Sequence, residues 1–242
     1  MDLLEAGVGN RHPWELSRGD CILSIIKSKI TSQHRTIADI GCGDLYFANI
    51  LSGIFDHTIF AIDTGFTNLL SSTDKIVKMS SLEQMDDDSI DIAILMDVLE
   101  HIEKPDEFLH LLSKKMRGGG ISIFTVPAFQ HLFSEHDVFL KHHRRYNKKQ
   151  LYNELVSCGF NVERIFFFYT ALYVPRLLQF AISNLKKNNG MAHQISMWKH
   201  DENSKLTNLV RTVLNLDFSF NKNSILPLPF GLSVCAICSA GK

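Results

Sequence analysis

The sequence has almost no excess of positive or negative charge, and it contains few cysteines. Its 25 lysines and arginines are opposed by 26 aspartates and glutamates, which leaves a net charge of −1 over 242 residues when histidine is neutral. A chain with so little net charge has no overall field that attracts nucleic acid, so we expect no nucleic-acid partner. Its five cysteines are an odd number, which argues against a disulfide framework.

Long hydrophobic runs are also absent. The longest largely apolar run covers residues 165–174 and is followed by Pro175 and Arg176, so it is too short to span a bilayer. The first residues, MDLLE, contain neither the basic region nor the apolar run of a signal peptide. We therefore expect a cytoplasmic protein without a membrane span.

The spacing of metal-ligating residues gives no convincing metal site. Cys235 and Cys238 form a C-x-x-C pattern, but they lie in a predicted strand, where residues three apart point to opposite faces. The histidine-rich stretches do not have the spacing of a zinc site either. The sequence alone therefore predicts no metal.

What the sequence does contain is a glycine turn between a predicted strand and a predicted helix. Asp39, Gly41 and Gly43 lie in this turn, and Asp63 ends the next apolar strand about one βα unit later. Glycines allow the backbone to turn tightly and to approach a ligand closely. An acid about 20 residues further on can accept hydrogen bonds from two ribose hydroxyls. The pattern predicts a nucleoside-containing cofactor at the carboxyl edge of a parallel sheet.

The identity of that cofactor depends on the residues that follow the turn. A dinucleotide-binding loop, G-x-G-x-x-G, needs a third glycine for close helix–sheet packing. Tyr46 occupies that position, which weakens the alternative of a nicotinamide-dependent oxidoreductase. The loop instead resembles the first motif of class I S-adenosylmethionine-dependent methyltransferases, D-x-G-x-G-x-G, with Leu45 at the position of the last glycine.

Further segments between about residues 35 and 170 extend this resemblance in the order that the family has. The segment DVLEHI at 97–102 follows a buried apolar strand, RGGG at 117–120 precedes another strand, and 228–238 is similar to the last strand. The resemblance implies a Rossmann-like, doubly wound α/β fold with seven strands in the order 3-2-1-4-5-7-6, the last one antiparallel. It also implies S-adenosylmethionine as cofactor and S-adenosylhomocysteine as product.

The resemblance assigns cofactor-binding residues by their position in the motifs. They lie in the glycine loop and after the second, third and fourth strands: Asp39, Gly41, Cys42, Gly43, Asp63, Ser81, Leu82 and Asp97. Ser81 and Leu82 match positions that meet the adenine in the family. Plain structural roles remain open for several of them, because Asp63 could cap a helix and Asp97 could stabilise its turn.

We predict a single domain over residues 1–242. Residues 1–34 are expected to form an N-terminal helical lid over the cofactor, in which we place Arg11, His12 and Trp14. Strands and helices alternate from residue 36 to about 168, as in βαβ units. A polar insertion over 186–226 precedes the last strand, with turns expected at 188–190 and 200–205.

The segment after the fifth strand should face the reacting group, because ligands of open α/β sheets bind at the carboxyl ends of the strands. Its HD at 136–137 and its H-x-RRY at 142–146 resemble a methyltransferase subgroup associated with cell-surface or lipid-linked sugar biosynthesis. Histidine titrates near neutral pH, so His136 and His142 are candidate general bases, with Tyr146 as an orienting partner. Structural roles for both histidines remain open.

A second set of residues in this segment suggests a site for an anion. Arg144 and Arg145 precede a helix that Asn147 can cap, and Lys148 and Lys149 lie in its first turn. We hypothesise that this positive helix end receives a phosphate or carboxylate of the substrate. A solvated basic surface or an internal ion pair is the alternative.

These observations predict a methyltransferase that acts at oxygen on a small-molecule or lipid-linked acceptor, as a monomer or a homodimer. The aromatic and aliphatic block at 166–180 is expected to be mostly core, with an apolar wall for the acceptor or an oligomer interface as alternatives. Besides the oxidoreductase, a non-catalytic subunit with the methyltransferase fold remains open, and Leu45 in place of glycine is its best support.

Overall fold

The structure of the protein, a computed structural model, describes residues 11–66, 75–187 and 204–241, with side chains described up to residue 178 and again from 204. The first ten residues of the predicted lid lie outside the described residues. The turn predicted at 188–190 and residues 200–203 of the turn predicted at 200–205 lie outside them as well, and residue 205 begins a helix.

Seven strands form one sheet with helices on both faces. The strands are β1 (Thr36–Ile40), β2 (Thr58–Ile62), β3 (Ile76–Met79), β4 (Ile90–Met96), β5 (Met116–Pro127), β6 (Phe160–Phe168) and β7 (Ser233–Ala240). Their order in the sheet is β3-β2-β1-β4-β5-β7-β6. Strand β7 is antiparallel to β5 and β6, and the other neighbouring pairs are parallel. The predicted strand order is therefore confirmed.

The helices connect these strands in the alternating pattern of a doubly wound fold. They are α1 (Pro13–Lys29), α2 (Tyr46–Ile54), α3 (Pro105–Lys115), α4 (Glu135–Phe139), α5 (Lys148–Ser157), α6 (Thr170–Lys187) and α7 (Lys205–Asn223). Helix α7 occupies much of the segment predicted as an insertion. No helix in the described ranges is long and apolar enough to cross a membrane.

The central strands are buried on both faces, which explains their continuous apolar runs. In β4, Ile92 and Ile94 belong to one core cluster, whereas Ala93 and Leu95 belong to the cluster on the other face. Successive side chains of a strand alternate between faces, and helices cover both faces of this sheet. The sheet is thus a rigid platform, and its carboxyl edge is left to the loops that carry the site.

Two sequence expectations concern β5 and β7. Residues 117–120 were expected to precede the fifth strand, but they lie inside β5, next to a register shift against β4. Gly119 has a φ of +74°, so the glycines serve an irregularity within the strand. Cys235 and Cys238 lie in β7 and belong to the cores on opposite faces, and all five cysteines are free thiols.

Candidate active site

The glycine loop lies between β1 and α2 and is held against the end of β2. The backbone N–H groups of Gly41 and Cys42 donate to the carbonyl of Ile62, at 2.7 and 3.4 Å. Gly41 has a φ of +71°, and a Cβ at this position would lie 2.6 Å from Cγ2 of Val98. Residue 41 therefore has to be glycine, both for its backbone conformation and because the loop after β4 packs directly on it.

Asp63 holds this loop through its carboxylate. Its Oδ2 accepts a hydrogen bond from the N–H of Gly43 at 2.8 Å, and its Oδ1 accepts one from the N–H of Gly65 at 2.8 Å. Gly43 itself has a φ of +57°. Each carboxylate oxygen has a second lone pair, so Asp63 can fix the loop and accept hydrogen bonds from a ligand at the same time.

Leu45 adopts the left-handed conformation that the family motif usually gives to glycine. It is the N-cap residue of α2, with φ +70° and ψ +8°. A leucine in this conformation costs on the order of 1–2 kcal/mol relative to glycine. The loop therefore keeps the glycine-type path in spite of the substitution, and the protein bears a local strain for it.

Asp39 and Cys42 lie buried at the base of the loop. The Oδ2 of Asp39 has no hydrogen-bond partner in the described part of the chain, and burial raises the pKa of this carboxyl to about 7. Burial also raises the pKa of the Cys42 thiol well above its ordinary value, so this thiol is neutral and unreactive near pH 7. Of these two residues, Asp39 is therefore the one with a buried polar atom that lacks a hydrogen-bond partner in the described structure.

The segment after β3 reaches the same edge of the sheet. The N–H of Asp63 donates to the carbonyl of Met79 at 3.0 Å, which places Ser81 and Leu82 close to the end of β2. The Ser81 hydroxyl accepts a hydrogen bond from the N–H of Glu83 and caps a short 3-10 helix, and Leu82 is buried. Both residues therefore lie on the rim that also carries Asp63.

Asp97 directly follows β4 and connects the sheet to α1. Its φ of +53° is left-handed, its Oδ1 accepts a hydrogen bond from the Thr125 hydroxyl at 3.1 Å, and its Oδ2 forms an ion pair with Arg18. Arg11 similarly pairs with Asp44 of the glycine loop. Two arginines of the N-terminal segment thus meet acids at the carboxyl edge of the sheet, and sequence reasoning did not identify Arg18.

The N-terminal segment lies beside the glycine loop. The guanidinium of Arg11 lies 4.0 Å from the ring centroid of Tyr46, and the rings of His12 and Trp14 stack at 4.0 Å. The carbonyl of Trp14 accepts a hydrogen bond from the Tyr169 hydroxyl at 2.7 Å. A small cleft between α1 and α2 is lined in part by Arg11, Tyr46 and Met96.

The acceptor segment contains a buried ion pair, and the expectation for Arg145 has to be corrected. The Arg145 guanidinium donates to Asp137 through Nε at 2.7 Å and through Nη2 at 3.1 Å. Burial raises the pKa of Asp137, but hydrogen bonds from His142 and Arg145 outweigh it and hold the pKa below its usual range. Arg145 therefore serves the internal ion pair, whereas Arg144 donates to the carbonyl of Glu103 at 2.6 Å.

The expected role of Tyr146 also needs correction. Its side chain is completely buried, and its hydroxyl donates to the carbonyl of Leu99 at 3.5 Å. Burial raises the pKa of this phenol well above its ordinary value. Tyr146 is a core residue and does not orient either histidine. His136 lies in α4, and Nδ1 of His142 lies 3.0 Å from Oδ1 of Asp137.

A group of aromatic rings lies beside the acceptor segment. Phe129 follows β5 with a φ of +62° and stacks on Phe167 of β6 at 4.8 Å. Tyr173 of α6 lies 5.5 Å from Phe129 and 5.3 Å from Phe230 between ring centroids, and its hydroxyl lies 3.4 Å from Nε2 of His131. Only part of the predicted aromatic block is therefore core, since Tyr173 is half-buried and Leu178 is exposed.

Comparison with known proteins gives the family. A family model described as "Methyltransferase domain" matches residues 24–165, more than half of the chain. Two curated relatives from strains of Rickettsia bellii, both named "Ubiquinone biosynthesis O-methyltransferase", are 30% identical over 117 residues, which are 43% of this chain and 48% of the relative. The matched region thus spans about half the length of these relatives.

Solved structures share the fold. A SAM-dependent methyltransferase from Archaeoglobus fulgidus superposes with a TM-score of 0.54 at 18% identity, over 93% of this chain and 96% of its own. An S-adenosylmethionine-dependent methyltransferase from Mesorhizobium loti gives 0.55 at 14% identity, over 92% and 99%. At these identities the likeness concerns the fold.

The residues at the carboxyl edge are suited to S-adenosylmethionine. Asp63 has lone pairs for the ribose hydroxyls, positions 41 and 43 of the loop carry no Cβ atom, and the buried Asp39 oxygen lacks a partner in the described structure. The family match also decides against the nicotinamide-dependent alternative. The chain belongs to the methyltransferase-domain family, and it is an enzyme that uses S-adenosylmethionine as its methyl donor.

Proposed function

We propose that this enzyme transfers the methyl group to a hydroxyl oxygen of a small-molecule or lipid-linked acceptor with an apolar body. The observation that carries the proposal is the position of two features side by side. The segment that follows β5 contains Phe129 of the aromatic group and also the pair formed by Asp137 and His142. Arg145 joins the two, because its guanidinium donates to Asp137 and also, at 3.4 Å, to the carbonyl of Ala128, the residue before Phe129. One feature suits an apolar acceptor, and the other suits a group that must lose a proton.

The aromatic group supports an acceptor with an aromatic or isoprenoid-like body. The ring centroid of Tyr173 lies 5.5 Å from that of Phe129 and 5.3 Å from that of Phe230, the range in which aromatic rings attract each other. Val174 and Leu178 of α6 lie in the same region of sequence and are more than half exposed. Ligand sites are usually apolar with a few placed polar groups, and His131 and Tyr173 supply such groups at the rim of this surface.

The polar feature supports a hydroxyl acceptor. The Asp137 carboxylate faces Nδ1 of His142 at 3.0 Å, which favours the neutral tautomer with its proton on Nδ1 and its lone pair on Nε2. Such a ring can take the proton of a hydroxyl as the methyl group arrives. His136 remains a second proposed base. The rest of the work of the protein is to align the acceptor with the methyl group and to exclude water.

The curated relatives give independent support for oxygen as the methylated atom. Both are named O-methyltransferases, and both match this chain at 30% identity. Since the match spans about half of their length, their acceptor is not transferred to this chain. Arg145 is engaged by Asp137 and is not available to an anionic acceptor, whereas an anion site at Arg144, Lys148 and Lys149 stays a prediction.

We also propose that the N-terminal segment acts as the lid of this single domain. The ion pairs of Arg18 with Asp97 and of Arg11 with Asp44 support this role, because they join α1 to the loops that carry the cofactor site. Closure of such a segment shields a reacting centre from water. The monomeric or homodimeric state remains a prediction.

The test is an acceptor panel with S-adenosylmethionine as donor. We expect methylation of catechols and of phenols with an isoprenoid tail, and no methylation of matched primary amines or carboxylates. The His142→Ala variant should lose at least about 100-fold in turnover, as is typical when a general base is removed, and should bind S-adenosylhomocysteine as the wild type does. His110→Ala, which changes an exposed histidine of α3, is the matched control. Transfer to amines alone would contradict the proposal.

A further inference from the structure

Glu100 is a buried carboxyl group that the proposed function leaves unexplained. Its side chain is 0% exposed, and neither carboxylate oxygen has a hydrogen-bond partner in the described structure. Buried polar groups are almost always hydrogen-bonded, and an exception calls for an explanation such as a bound ion. Burial, and then the charge of Asp97, raise the pKa of Glu100 well above its ordinary value.

Two histidines lie next to this carboxylate. Glu100 and His101 belong to a 3-10 turn (Leu99–His101) after β4, and the N–H of His143 donates to the Glu100 carbonyl at 2.7 Å. This hydrogen bond joins the acceptor segment to the turn, and the rings of His101 and His142 meet edge to face with centroids 4.6 Å apart. One ligand atom of each of Glu100, His101 and His142 lies within 4.8 Å of the other two.

We propose that Glu100, His101 and His142 bind a divalent transition-metal cation of the zinc or manganese type. One carboxylate and two imidazoles form a known ligand set for such ions. Metal–ligand bonds of about 2.0–2.2 Å place ligand atoms roughly 3–4 Å apart around the ion. The three ligand atoms lie within 4.8 Å of one another, so closing the site around an ion requires them to approach by up to about 1–2 Å.

Asp137 supplies the outer support that such sites have. Its Oδ1 lies 3.0 Å from Nδ1 of His142. Its Oδ2 accepts hydrogen bonds from the N–H and the hydroxyl of Ser134, at 2.8 and 3.0 Å. A carboxylate on the far nitrogen of a ligating histidine sets its tautomer and its orientation. Asp137 is therefore a positioning residue, and Nε2 is the atom of His142 that faces the ion.

The role of the cation rests on the proposed function, although its binding does not. Three protein ligands leave at least one position open, and an acceptor hydroxyl that fills it has a lowered pKa. The hydroxyl proton then passes to water, and the O–CH3 bond forms as the S–CH3 bond of the cofactor breaks. S-adenosylhomocysteine is the other product. In this arrangement Nε2 of His142 binds the ion and cannot also take the hydroxyl proton, so the ion replaces His142 as the group that activates the hydroxyl.

Cation binding can be measured without any acceptor. Untagged full-length protein is treated with a chelator, dialysed and titrated by calorimetry with zinc chloride and, separately, manganese chloride. We expect one site per chain for at least one of the two ions. Glu100→Gln, His101→Ala and His142→Ala should each weaken binding at least tenfold. His143→Ala, which changes an exposed side chain and keeps the backbone N–H, should leave the affinity within twofold.

Each outcome of this experiment has a defined meaning. Absence of saturable binding, or equal affinity in His101→Ala, His142→Ala and wild type, would overturn the site. Affinity for S-adenosylhomocysteine, measured on every variant, shows that the fold is intact. If Glu100→Gln does not fold, the two histidine variants alone test the site. If the cation binds but no hydroxyl acceptor is methylated, the proposed function fails and the site stands. If transfer proceeds unchanged in chelator and nothing binds, the site fails and the proposed function stands.

Discussion

Arg145 and Asp137 form a two-point ion pair in the interior of the acceptor segment. Nε donates to Oδ1 at 2.7 Å and Nη2 donates to Oδ2 at 3.1 Å, with Asp137 0% and Arg145 9% exposed. The pair joins α4 to the chain that precedes α5. It fixes the orientation of His142, which shares the same carboxylate.

We expect Arg145→Met to destabilise the protein by about 3–5 kcal/mol, because it leaves the Asp137 carboxylate buried without its cation. Urea unfolding followed by circular dichroism measures this change. The control is Arg144→Met, whose guanidinium donates to one carbonyl, and its cost should be about 1 kcal/mol. An Arg145→Met variant that keeps its stability but raises the KM for the acceptor would restore a substrate-binding role.

The backbone of Leu45 leads to a second prediction. Asparagine tolerates a φ of +70°, the value at this position, whereas β-branched residues strongly avoid it. We expect Leu45→Val to be less stable than Leu45→Asn by about 1 kcal/mol, although valine retains more of the apolar contact of leucine. Thermal unfolding of the two variants compares them directly. Equal stabilities, or a more stable valine variant, would show that the loop relaxes to a negative φ.

Asp39 should make stability depend on pH in the ligand-free protein. Its folded-state pKa of about 7 lies above the value of about 4 for an unfolded aspartate. The folded state therefore holds a proton that the unfolded chain has lost, and its stability falls as the pH rises from about 4 to 7. Asp39→Asn removes this penalty, so the variant should gain thermal stability relative to wild type at pH 8 and gain less at pH 5. A gain that is the same at both pH values would contradict this.

The sequence predicted those parts of the fold and of the site that depend on residues close together along the chain. Gly41, Gly43 and Asp63 lie in short motifs at the ends of apolar strands. These motifs predict the loop, and the strand order followed from their resemblance to those of a known family. The partner of Arg145 was not predictable in this way, because Asp137 lies in a different element and the pairing depends on how the segment folds back on itself. The same reason hid the site at Glu100, whose ligands come from two segments that meet only in the folded chain.

The central claim is that Asp63 and the glycine loop hold S-adenosylmethionine, and titration calorimetry with S-adenosylhomocysteine tests it most directly. We predict saturable binding at one site per chain. Loss of two hydrogen bonds to a charged acceptor should weaken this binding in Asp63→Ala by at least about 10- to 100-fold, or roughly 1.5–3 kcal/mol. Asp56→Ala, which changes a carboxylate that is 97% exposed, should bind like the wild type. Equal affinity in Asp63→Ala and wild type, or no binding by the folded wild-type protein, would contradict the claim.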